Sequence, residues 1–194
     1  MKARSGQELI LTAQMVYESV GSELSLRKLA QTIGISIETV KSYLEAFESA
    51  YLLFSVPFFT YSSRQQTVRN KKYYPVDICL RESIITKTGK DIGKKIETLV
   101  FLKLRSKYSQ INYWKEKLEV DFVVRDPEHP SGIRAYQVTS FTEVVEQKLT
   151  ALIDFSKKYK DAELNYLYMG DEKEVETGSG LVVHARSIER FLSE

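Results

Sequence analysis

Between residues 22 and 59 the chain reads SELSLRKLAQTIGISIETVKSYLEAFESAYLLFSVPFF, and within this stretch the spacing of apolar residues changes once. It begins at helical period and ends as an almost continuous apolar run, so it predicts short helices followed by a strand. Ser25 stands where a helix N-cap would, Leu26, Leu29, Ala30 and Ile33 face inward, and Gly34 ends that helix. Ser36 caps the next, whose buried face is Ile37, Val40, Leu44 and Phe47. Two short helices joined by a tight glycine-containing turn form a helix-turn-helix. Ahead of them, Leu9, Leu11, Ala13, Val16, Tyr17 and Val20 give a stripe compatible with a first helix ending near Gly21.

After the strand-like YLLFSVPFF, the polar stretch TYSSRQQTVRN leads to a second strand-like piece, KKYYPVD. Two strands around a loop, directly after a helix-turn-helix, make a wing. Residues 6–77 resemble the winged-helix superfamily, and LRKLAQTIGISIETVKSYLEAFESAYLL carries the match. Such a unit reads DNA with polar side chains near the start of its second helix. Here the outward residues are Glu38, Thr39, Lys41, Ser42, Glu45 and Glu48, a face that is not basic, so the helix is either a DNA contact through Thr39, Lys41 and Ser42 or a packing element. The wing is richer: Arg64, Arg69, Lys71 and Lys72 come with no acid among them, and Gln65, Gln66, Thr67 and Asn70 add hydrogen-bonding groups suited to backbone contact. The alternative is a solvated loop.

Composition adds bounds. With 194 residues and 43% hydrophobic content the chain can bury a core, and a formal net charge of +2 names no partner by itself. A lone cysteine, Cys79, excludes an internal disulfide and a multi-cysteine zinc site and fits a reducing compartment, so a cytoplasmic location is expected. The first twenty residues lack the pattern of a signal peptide, no run has the length a membrane helix needs, and no membrane partner is expected.

The remainder predicts a helix over 87–108 that opens on the basic loop KTGK, with Ile92, Ile96, Leu99, Val100 and Leu102 or Leu104 inward. Strands follow at 111–114, 118–124 and 133–139, then a helix over 142–159, a strand at 163–170, a polar loop, a strand at 180–185 and a terminal helix. The fold class expected is α+β, an N-terminal winged helix-turn-helix domain (1–78) joined to an α/β core (79–194).

That order of helix, three strands, helix and strand resembles the restriction-endonuclease-like superfamily, the PD-(D/E)xK nucleases. The resemblance implies an acid on the helix, an acid on the second strand and a D/E/Q-x-K on the third, converging on magnesium or manganese, with carboxylate oxygens suited to a hard cation. Carried over, these are Glu97, Asp121 and Gln137, with Glu97 and Asp121 as the metal ligands; the lysine position is Thr139. Lys148, or Lys115 or Lys117 on the hairpin, are candidates for a migrated charge, while Glu119 is on the Asp121 face but about 6–7 Å along the strand. The structural alternative makes Asp121 an edge-strand acid and Glu97 a solvated helix residue. His129 and His184 are read as structural or surface residues and Trp114 as a core anchor rather than a base-stacking platform, and TGKDIGKK does not have the spacing of a phosphate loop.

The series KKYYPVDICLRESI, GKKIETLVFLKL, INYWKEKLEVDFVV and YQVTSF, behind a winged helix, resembles the C-terminal half of a family of prokaryotic, largely archaeal, AAA-type ATPases. The resemblance implies that the nucleotide-binding domain lies elsewhere, since this chain has no Walker A loop, and that the present part faces DNA or substrate. Three functions are expected in descending order: a regulatory module binding double-stranded DNA with a degraded nuclease site, an active magnesium- or manganese-dependent endonuclease, and an interaction module packing on an ATPase domain.

Overall fold

The computed structural model describes residues 2–85, 91–130, 132–178 and 180–194, so the basic loop expected at 87–90 lies outside the described residues. The N-terminal elements are α1 (Lys2–Glu18), α2 (Leu26–Ile33), α3 (Ile37–Ser49), β1 (Leu53–Val56), α4 (Ser63–Val68), β2 (Lys72–Pro75) and α5 (Ile78–Ile84). The caps fall where expected. Ser25 accepts from the Lys28 amide, Gly34 closes α2 at φ 81°, and Ser36 accepts from the Thr39 amide. α1, α2 and α3 bury Val16, Tyr17, Leu29, Ala30, Val40, Leu44 and Phe47 together with Leu53 and Tyr73.

Two local expectations need correction here. The polar stretch between the strands is not an open loop: residues 63–68 form α4, because Ser62 accepts from the Gln65 amide and starts a helical turn. Helix α5, absent from the sequence reading, is likewise started by its cap, with Asp77 accepting from the Leu80 amide.

The C-terminal elements are α6 (Ile92–Lys107), β3 (Ile111–Lys115), β4 (Glu119–Arg125), β5 (Ile133–Val138), α7 (Glu146–Lys158), β6 (Glu163–Tyr168), β7 (Lys173–Glu176), β8 (Val182–Ser187) and α8 (Ile188–Ser193). Their sheet has the order β3-β4-β5-β6-β8-β7. β3, β4 and β5 run antiparallel, β5, β6 and β8 parallel, and β7 antiparallel to β8. The fold is therefore mixed α+β. β7 sits in what reads as a polar loop because it is an edge strand with Val175 as its single apolar residue.

The buried face of α6 also differs from the sequence reading. Ile92 and Leu99 are 55% and 40% exposed, whereas Thr98, Val100, Phe101 and Leu104 are buried. Residues 97, 101 and 104 share a helix face, so Glu97 rides on the core side.

The two halves are closely joined. After β1 the chain adds to the free edge of β3, with the Phe59 amide donating to the Tyr113 carbonyl at 2.7 Å and the Tyr113 amide to the Pro57 carbonyl at 3.0 Å. Phe58, Phe59 and Tyr74 belong to the same hydrophobic cluster as Phe101, Trp114, Phe122 and Phe155. Tyr74 stacks on Phe101 with centroids 4.5 Å apart, and Trp114 meets Phe155 edge-on at 5.3 Å, which makes Trp114 a core anchor. Packing is therefore continuous across residue 78.

Candidate functional site

Strand β4 is covered on both faces, with Val120, Phe122, Val123 and Val124 fully buried, and it lies between β3 and β5. Asp121 is thus an interior acid, 5% exposed, and not an edge residue. Its register partner across the ladder follows the Phe122–Tyr136 pair, which brings Gln137 alongside. Oδ2 of Asp121 accepts from Gln137 Nε2 at 2.7 Å and from the Val138 amide at 2.8 Å. From α7, Lys148 donates to the Val138 carbonyl, and its ammonium lies 4.0 Å from the same carboxylate oxygen. Gln137 Oε1 is buried without a hydrogen-bond partner. Thr139, at the expected lysine position, is buried and its amide continues the ladder to the Leu167 carbonyl.

Glu97 approaches from α6. Its Oε1 accepts from the Tyr74 hydroxyl at 2.5 Å, and Gly21, at φ 75°, comes so close that a Cβ there would stand 2.7 Å from the same oxygen. Glu97 is therefore a half-buried, hydrogen-bonded acid and not a freely solvated helix residue. Glu119, at the start of β4, accepts from Lys72 Nζ at 2.5 Å and lies 3.3 Å from Lys115, which also pairs with Glu23 at 2.8 Å.

Lys72 is the main correction to the expected DNA contacts. On β2, Tyr73 points to the N-terminal core, while Lys72 and Tyr74 share the opposite face and point to the larger sheet. The Lys72 side chain is 0% exposed, so it cannot reach a phosphate. Alternation along the strand-like KKYYP carried this signal, and grouping Lys72 with Arg64, Arg69 and Lys71 as a basic run missed it. Tyr74 was missed for the same reason.

Charges in the pocket act strongly on one another. Burial, and after it the negative charge of Asp121, push the Glu97 carboxyl up to about 7, against the Lys72 ammonium and the Tyr74 hydroxyl. Burial likewise raises Asp121, opposed by Lys148, Lys72 and the Val138 amide. For Lys72, burial alone would lower the ammonium, but Glu97, Asp121 and Glu119 outweigh it and hold it above the usual lysine range.

A pH dependence follows. The folded Glu97 value of about 7 exceeds the ordinary 4.5, so the unfolded chain releases this proton first, and the penalty grows from pH 4.5 to about 7. Glu97→Gln carries no such penalty. Because Glu97 keeps some solvent contact, the variant is expected to be more stable than wild type by about 1–2 kcal/mol at pH 8 and equal to it near pH 4.5 in urea titrations.

A divalent metal does not fit these residues as they stand. Its candidate oxygen ligands are engaged by ammonium groups, with Lys72 acting on Glu97, Glu119 and Asp121, and Lys148 beside Asp121. Among the described residues no three His, Cys, Asp or Glu side chains cluster as a metal-holding set. His129 pairs with Glu163 at 2.7 Å and His184 lies 3.6 Å from Glu174, both remote from the pocket in role.

A second feature lies on the N-terminal half. A groove of about 510 Å³ runs between α2, α3 and the segment joining α4 to β2, and its lining includes Arg27, Lys41, Arg69 and Lys71. Three of these were expected as DNA contacts, and the fourth, Arg27, was not because it sits on the first helix of the pair. Glu45 and Glu48 line the groove too. Arg69 also packs over the Phe58 ring at 4.8 Å. Ser42 and Arg64 are exposed but do not line the groove, and the Thr39 hydroxyl hydrogen-bonds Ser36 at 2.9 Å within the α3 cap.

Residues 2–91 match the model of a family described as "Domain of unknown function (DUF8612)". The chain is similar to "Uncharacterized protein MJ1544" of Methanocaldococcus jannaschii, 30% identical over 131 residues that make up 62% of this chain and 29% of that protein. It is also similar to an "Uncharacterized protein" of Haemophilus influenzae, 27% identical over 105 residues, 54% of this chain and 26% of that protein. The chain spans under a third of the length of these curated relatives. No solved structure matches it. Among the described residues no helix is long and apolar enough to cross a membrane.

Proposed function

We propose that this chain is the DNA-binding and regulatory part of an AAA-type ATPase, a winged helix joined to a PD-(D/E)xK-like core that binds without cutting. The observation that carries the reading is the groove beside α3, where Arg27, Lys41, Arg69 and Lys71 gather on one side of the molecule. Four cations against Glu45 and Glu48 leave the lining net positive, the condition for phosphate neutralisation. The α2–turn–α3 pair followed by the antiparallel β1–β2 ribbon supports the winged-helix reading. The convergence of Glu97, Asp121 and Gln137 on adjoining elements of a mixed sheet supports a nuclease-like ancestry. Relatives more than three times as long as the matched segment leave room for a nucleotide-binding domain in those proteins.

An active endonuclease using Glu97, Asp121, Gln137 and Lys148 is the weaker reading, because the lysines already neutralise its carboxylates. The test is duplex binding by the triple variant Lys41→Ala, Arg69→Ala, Lys71→Ala, followed by fluorescence anisotropy. Loss of three phosphate contacts is expected to weaken binding at least about tenfold and to reduce the slope of log K against log salt by about 2–3. Unchanged affinity and slope would remove the groove as the contact.

A further inference from the structure

A cavity of about 470 Å³ opens beside Arg125, the last residue of β4, and shares no lining residue with the Asp121 pocket. Its lining includes Tyr61, Arg125, Lys158, Tyr159, Lys160 and Asp161, so three cations face a single acid. Tyr61 is 69% exposed, yet its ring meets Phe59 and Tyr159 edge-on, each with centroids 5.9 Å apart. Two buried rings thus fix Tyr61 in place without covering it. The Arg125 guanidinium stands 5.2 Å from the Tyr61 ring centre and 5.6 Å from that of Phe59. Lys158 pairs with Glu116 at 2.6 Å, whereas among the described residues neither Arg125 nor Lys160 has an acid at ion-pair distance. An oriented aromatic ring flanked by cations suits an unpaired base and its phosphates: the ring stacks any base, and the cations neutralise the backbone. Bases inside a duplex are stacked on their neighbours and offer no such face.

In the chain, only Ser62 and α4 separate Tyr61 from the groove beside α3. Helix α4 has six residues, about 9 Å of rise, and buries none of them. It exposes Arg64, and at and beyond its end Thr67, Val68, Arg69 and Lys71 line the groove. We propose that Tyr61, with Arg125 and Lys160, is a stacking site for an unpaired base, and that the DNA held in the groove is a duplex continuing as a single strand across α4. The second half of this statement rests on the duplex reading of the groove, whereas the stacking site stands on the cavity itself.

The test is fluorescence anisotropy with the full chain and three probes at one salt concentration: a blunt duplex, the same duplex with an oligothymidine overhang on either its 5′ or its 3′ end, and the oligothymidine strand alone. An overhang of one polarity is expected to bind about 5–30-fold more tightly than the blunt duplex. Tyr61→Ala, at an exposed position, is expected to remove that preference and leave blunt-duplex affinity unchanged, while Tyr61→Phe, which keeps the ring, retains it. Equal affinity for blunt and overhanging duplexes, or a preference that survives Tyr61→Ala, would overturn the proposal. A blunt duplex that does not bind at all would remove the groove reading instead. The stacking site is then judged on the oligothymidine strand: binding lost in Tyr61→Ala supports it, and binding absent or unchanged overturns it.

Discussion

Lys72→Met is expected to cost about 3–5 kcal/mol of unfolding free energy at pH 8, measured by urea denaturation. The magnitude comes from what is left behind. Methionine keeps the length and packing, but Glu97, Asp121 and Glu119 lose the ammonium that acts on all of them, and Glu97 and Asp121 are already raised by burial. The sign of the pH dependence can be checked from both sides. The Lys72 contribution is fully present below the ordinary lysine value of 10.5 and is lost as pH rises through its higher folded value. Its carboxylate partners become protonated as pH falls, so the cost of the substitution shrinks near pH 5. A loss under about 1 kcal/mol at pH 8 would mean that the pair is no stronger than a surface ion pair.

Asp121→Ala is expected to cost about 2–4 kcal/mol, because the variant strands buried donors. Gln137 Nε2 and the Val138 amide both donate to Oδ2 of Asp121, and alanine offers no acceptor to either. Asp121→Asn retains one acceptor oxygen and is expected to lose about half as much. Equal losses in the two variants would show that charge, and not hydrogen bonding, holds the site.

Helices α2 and α3 were legible because caps and periodicity are local: Ser25, Gly34 and Ser36 act within a few residues of themselves. β4 and β5 were legible for a similar reason, since long apolar runs bounded by Pro and Gly leave few alternatives. Asp121 and Gln137 were named together in advance through the nuclease resemblance, and the antiparallel register of β4 and β5 sets them side by side. Lys72 was not legible in the same way. Its role depends on β2 turning one face to a sheet formed far later in the chain, a long-range contact hidden by the basic residues next to it in the sequence. β7 and α4 were missed because polar residues carry them, and their pairing or cap was the only signal.

The measurement that bears most directly on the account is duplex binding by wild type across a salt series, with and without EDTA. The account predicts binding whose affinity falls steeply with salt and is the same in EDTA, with the DNA left intact. Absence of salt-dependent binding, or binding that EDTA abolishes, would contradict it.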